Sequence, residues 1–214
     1  MAYEHHRETD PSGLTLIVEA EDHPLNPREE YDHLGQMICW HGRYTLGDTH
    51  GWSEPDDFRQ HLKSCTGAIA LPIYLYDHSG LALATTPFHC PWDSGQVGWI
   101  WMSRDTALEA FSRNGKRVTP KLRRQAEEAL RGEVREYSQY LSGDVWHIRV
   151  ENEDGDILDS CGGLVGSDYA VEEGRAMLAV LAPEERERKA EALAELIESE
   201  RPDLTPVWLG EDAR

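Results

Sequence analysis

Along this chain the apolar residues switch between the two-residue rhythm of strands and the three- and four-residue rhythm of helices. Leu14–Ala20 (LTLIVEA) predicts a first strand. Leu71–Tyr76 and Leu81–Thr86, joined by Asp77-His78-Ser79-Gly80, predict a hairpin. Gln96–Met102 follows, with Val97, Trp99 and Trp101 on one face. These three strands read as an antiparallel meander. Helices are predicted from Pro55 to Ser64 with Ser53 as N-cap, and from Ser103 to Ser112. The longest runs from Thr119-Pro120 to Leu141, where Leu122, Ala126, Leu130, Val134 and Tyr137 form a stripe and Gly143 supplies the stop. Val145–Glu151 and Asp156–Cys161, turning at Asp154-Gly155, predict a second hairpin. A short helix near Val171–Leu181 and a last one over Glu184–Glu200 close the chain, the latter with Ala190, Leu193, Leu196 and Ile197 inward. Strands and helices mix without βαβ alternation, so the fold class is α+β: an antiparallel β-meander plus a C-terminal hairpin packed against several helices. The expected organisation is a frayed stretch 1–13, one α+β domain over 14–182, and an acidic C-terminal helix and tail over 183–214.

Charge changes this picture. The chain has 214 residues, with 40 acidic and 21 basic residues and a net charge of −19. Residues 1–60 carry a net −9, residues 61–140 a net +2 and residues 141–214 a net −12. Such a balance argues against direct contact with nucleic acid or an anionic membrane. It admits either a solvated acidic surface or carboxylates that imitate a phosphate array and fill a basic groove on a partner. Glu184, Glu185, Glu187, Glu191, Glu195 and Glu198 are the interaction candidates. No apolar run reaches the length of a membrane span. The four cysteines are widely spaced, which predicts reduced thiols and a cytoplasmic setting.

Candidate chemistry is sparse. Asp77, His78, His89, Cys90 and Asp93 offer a thiol, imidazoles and carboxylates, the ingredients of a nucleophile with its base. The same residues suit turns, with Pro91 and Trp92 packed beneath, and a simple meander puts the two turns at opposite ends of the sheet. Cys39, His41 and His50, near Asp48 and after Asp32 and His33, have the chemistry of a divalent-metal set, in a spacing that matches no established zinc pattern. No other cofactor is expected. Arg113, Lys116, Arg117, Lys121, Arg123 and Arg124 form a basic strip free of acids, read as a solvated face or as a counter-surface for a second subunit. Cys161-Gly162-Gly163 with Gly166 reads as a tight turn before a helix rather than a phosphate cradle. Trp92, Trp99, Trp101 and Trp146 read as core rather than a base-stacking platform.

Three stretches carry a resemblance: NPREEYDHLGQMICWHGRYTLGD, LPIYLYDHSG with PFHCPWDSGQVGWIW, and DSCGGLVGSDYAVEEG. Together they resemble a family of proteins from bacteriophages, prophages and other mobile elements. The resemblance brings a setting and no activity. It implies inhibition of a basic host-defence protein, such as a nuclease or a restriction or CRISPR component, in the bacterial cytoplasm. A small metal-dependent or cysteine/histidine hydrolase is the alternative. An oligomeric assembly protein, with a homodimer as its simplest form, is the second.

Overall fold

A computed structural model describes residues 3–112 and 115–200. Arg113 of the basic strip and the tail 201–214 lie outside the described residues. The α+β class holds: two four-stranded antiparallel sheets pack against helices.

One sheet has the order β3 (Gln36–Cys39), β6 (Ser94–Met102), β4 (Ile69–Asp77), β5 (Leu81–Ala84). The β4–β5 hairpin forms as the sequence predicts, but β6 passes to the other edge of β4. Simple meander order is therefore replaced by β5-β4-β6. On one face lie Met37, Ile73, Leu75, Ile100 and Met102, covered by Leu122, Ala126, Leu130 and Val134 of α4 (Pro120–Ser142). The α4 stripe, the Thr119 side-chain cap on the Leu122 amide and the left-handed Gly143 stop all match the pattern read from the sequence. Ser103 likewise caps α3 (Arg104–Phe111) through the Thr106 amide. On the opposite face α2 (Pro55–Ser64) presses the fully buried Phe58 against Trp40, Trp99 and Trp101. A register shift between Ile73 and Tyr74 accompanies the turn of Val97 away from Trp99, toward the α4 side. The residue before α2 is Glu54 rather than Ser53, and it makes no side-chain cap.

The second sheet has the order β1 (Glu4–Thr9), β2 (Thr15–Ala20), β7 (Val145–Glu151), β8 (Ile157–Val165). It is built from the two ends of the chain. The expected fraying before Leu14 is corrected: Glu4–Thr9 pairs along β2. Leu16, Val18, Trp146, Ile148 and Val150 face Ala170 and Leu178 of α5. α5 is one helix, Ser167–Ser199, not two. Pro183 lies inside it and forgoes one backbone bond, but Ala182 and Leu178 are buried against the sheet, and that packing carries the helix past the proline. Beyond Lys189 every described residue of α5 is exposed, so Leu193, Leu196 and Ile197 point to solvent instead of inward.

Candidate functional site

The unexpected strand order decides what the turns can do. Because β5 and β6 flank β4, the end of β4 meets the start of β6: Tyr76 pairs with Ser94, and the Asp77 amide donates to the Asp93 carbonyl at 2.9 Å. Asp77, His78, Cys90 and Asp93 therefore share one end of the sheet, where a simple meander would have separated them. The Cys90 thiol donates to Asp93 Oδ2 at 3.3 Å, and His78 Nδ1 stands 3.5 Å from the same oxygen. Arg43 and Tyr44, from the loop after β3, both reach Asp77. An open depression of about 360 Å³ adjoins them, lined in part by His41, Arg43, Asp77, Trp92 and Asp93. His89 stands exposed, outside this group. Trp92 is 92% exposed, which corrects its expected burial beneath the turn.

This cluster has the parts of a nucleophilic site in the wrong order. Activation of a cysteine needs a base on the thiol, held in turn by a carboxylate. Here the carboxylate touches the thiol, and the imidazole meets that same carboxylate oxygen instead of the sulfur. We therefore expect iodoacetamide to alkylate Cys90 no faster than the exposed Cys161, measured by mass spectrometry of the digested protein. Cys39 should stay unmodified until the fold is opened, since burial pushes its thiol up to about 12. A Cys90 rate well above that of Cys161 would establish an activated nucleophile and favour a hydrolase.

The metal candidates line a second open depression, of about 630 Å³, but they do not converge. His41 Nδ1 accepts from the Arg43 and Tyr44 amides at 3.3 Å each, and its ring stacks on Tyr44. His50 Nε2 is 2.9 Å from the Cys39 carbonyl, and its Nδ1 is buried without a partner. Among the described residues no three His, Cys, Asp or Glu side chains come together to hold a metal ion. Asp48, the carboxylate nearest these groups in sequence, is already taken.

What takes it is Arg28, a residue that sequence reading passed over. Its side chain is 1% exposed and bonds both Asp48 oxygens, at 2.7 and 2.6 Å. The same guanidinium reaches Glu133 of α4 at 2.9 Å and the Gly35 carbonyl at 2.8 Å. Glu133 also accepts from the Leu34 and Gly35 amides, and Asp48 from the Met37 amide. Burial opposes the charge on Arg28, but its bonds to Asp48 and Glu133 outweigh this and hold the guanidinium above its ordinary value. Each guanidinium nitrogen and all four carboxylate oxygens have a partner, so this is a latch between the 26–48 segment and α4, not a reaction centre. A capping Asn26 and a helical turn at Pro27–Glu30 place Arg28 inward; its one sequence signal is an arginine in an acidic, proline-led segment.

The remaining sequence candidates divide. Gly162 and Gly163 lie in β8 rather than ahead of a helix, and the Gly163 amide already donates to the Glu21 carboxylate at 3.2 Å. Lys116, Arg117, Lys121, Arg123 and Arg124 are exposed at the start of α4, and Arg123 reaches Glu127 at 4.0 Å. Of the acidic candidates on α5, Glu185 is buried and paired with Arg188 at 2.7 Å and with Lys189 at 3.8 Å, which removes it from any docking face. Glu184, Glu187, Glu191, Glu195 and Glu198 are all exposed. Their spacing of three and four residues puts them on one side of the helix.

Among the described residues no helix is long and apolar enough to cross a membrane. Set against protein-family models, curated proteins and solved structures, the chain matches none.

Proposed function

We propose that this is a non-enzymatic acidic protein that binds a basic surface on another protein and competes there with nucleic acid. One observation carries the reading: the exposed carboxylate ridge Glu184, Glu187, Glu191, Glu195 and Glu198 on a single face of α5. With a rise of about 1.5 Å per residue, the ridge presents roughly one carboxylate per 5 Å. A DNA strand presents one phosphate per about 3.4 Å of axis, so the spacing is of the same order. The described residues of α5 beyond Lys189 are exposed all round, so along Glu191–Glu198 a groove can close on that face without meeting the rest of the described fold. The resemblance to mobile-element proteins adds a host-defence protein, a nuclease or a restriction or CRISPR component, as the partner to look for, and bacterial cytoplasm as the place.

The test is capture from bacterial lysate with elution in salt steps, followed by affinity measurement on the retained protein. Binding should fall steeply with salt. Neutralising four ridge carboxylates (Glu184→Gln, Glu187→Gln, Glu191→Gln, Glu195→Gln) should weaken it by about tenfold or more. Labelled DNA should compete for the same surface. A complex indifferent to salt and to the fourfold variant would overturn the reading.

A further inference from the structure

Each sheet has two outer strands, and open edges of this kind recruit other chains unless something blocks them. Three of the four are blocked here. β3 is bridged by the following loop, through Ile38 with Gly47 and the Asp48 amide on the Met37 carbonyl at 2.8 Å. β5 lies against α4, whose Ser138 hydroxyl takes the Leu83 amide at 2.8 Å. β1 carries a register shift between Glu4 and His6 and a sequence of alternating charge, EHHRET. β8 is the exception. Residues 157–162 are all exposed, Ile157 at 58% and Leu158 at 42%, and Asp159 is the one charged side chain of the strand. Between two register shifts, Asp159, Ser160 and Cys161 pair regularly with β7 and leave their far side open. The Ser160 amide is met by the Asp159 carboxylate at 2.8 Å, an exposed contact that an incoming carbonyl can replace.

Beside this edge runs a groove of about 350 Å³ between β8 and α5. Ile148, Leu164, Met177 and Val180 make it apolar, Asp159 and Glu173 supply its charge, and among the described residues no basic side chain lines it. We propose that β8 and this groove form a docking site for an extended segment of a partner protein that carries both apolar and basic side chains on one face, at every second position. The segment's backbone adds to the sheet at Asp159–Cys161, and the face it turns toward α5 presents apolar side chains to the groove and basic ones to Asp159 and Glu173. The acidic lining selects this occupant. A second copy would bring another Asp159 to the same edge, and the chain's own tail, with Asp203, Glu211 and Asp212 against Arg201 and Arg214, carries no net positive charge. The charge of the occupant is read from the groove alone, so the site does not depend on the α5 ridge.

Cys161 lines the groove and is exposed, which makes it the reporter. The experiment measures its alkylation by iodoacetamide in the full chain, with Cys90 as internal reference. A short synthetic peptide with valine and lysine in turn at every second position, and threonine between them, should slow Cys161 by about fivefold or more and leave Cys90 unchanged. Ser160→Pro, which removes an outward amide, and Val180→Lys, at a side chain that is 71% exposed, should each abolish the protection. The fourfold ridge variant should keep it. Four results would overturn the proposal: no protection by the peptide, equal protection by a glutamate–valine peptide, protection lost in the ridge variant, or Cys161 already shielded without peptide. Shielding that grows with protein concentration would mark a second copy as occupant. Shielding relieved by truncation after Glu200 would mark the tail.

Discussion

Arg28→Ala destabilises the fold by about 3–5 kcal/mol, the largest effect expected of any single side chain outside the apolar core. The substitution removes one guanidinium and strands two partly buried carboxylates, Asp48 at 20% and Glu133 at 12% side-chain exposure, beside the same cavity. Lysine is not a substitute, because a single ammonium cannot hold both Asp48 oxygens, Glu133 and the Gly35 carbonyl together. Arg43→Ala is the control. Arg43 also pairs with an aspartate, Asp77, but is 70% exposed, and its loss should cost under about 1 kcal/mol. Urea unfolding midpoints for the three variants separate the cases. A shift for Arg28→Ala no larger than that for Arg43→Ala would refute the latch.

Gly98→Ala ranks next, at about 3 kcal/mol. Gly98 of β6 pairs with Cys39 of β3. A methyl group there would lie 2.0 Å from the Ile38 carbonyl oxygen and 2.9 Å from Cys39 Cα. Both are backbone atoms of the partner strand, so no side chain can swing aside. β3 would have to shift, and with it the bridge to Gly47 and the depression around His41 and His50. Thermal unfolding and the alkylation rate of Cys39 should report this together, since displacement of β3 exposes its thiol. A variant with native melting behaviour and a silent Cys39 would show that the sheet absorbs the methyl group.

Local signals carried most of the fold. Thr119, Pro120 and Gly143 bound α4 because capping and left-handed termination are set by the residues themselves. The two hairpins were equally legible, being closed by turns of a few residues. Strand order was not, because pairing β6 with β4 rather than β5 depends on which faces α4 covers. That one choice reversed the reading of Asp77, His78, Cys90 and Asp93, from opposite ends of a sheet to one end. Pro183 misled in the other direction: a proline normally ends a helix, and here burial of its neighbours carries the helix through it. Burial along α5 also divided the glutamates. Glu185 turns in toward Arg188 and Lys189, while the others on its segment remain exposed. The Arg28 latch was invisible because its partners, Gly35, Asp48 and Glu133, lie 7, 20 and 105 residues away.

The terminal sheet has a consequence for how the protein is made. Residues 36–142 supply the whole of the β3-β6-β4-β5 sheet and the α4 helix that covers it, so this half can assemble while the rest is still being synthesised. Leu16 and Val18 have to wait for Val150 and Ile148, which are synthesised roughly 130 residues later. Until then the most apolar strand near the N-terminus, LTLIVEA, has its polar hairpin partner β1 and no cover for its core face. A nascent chain halted before residue 145 would hold a finished half and a sticky strand, and chaperone demand should peak in that interval.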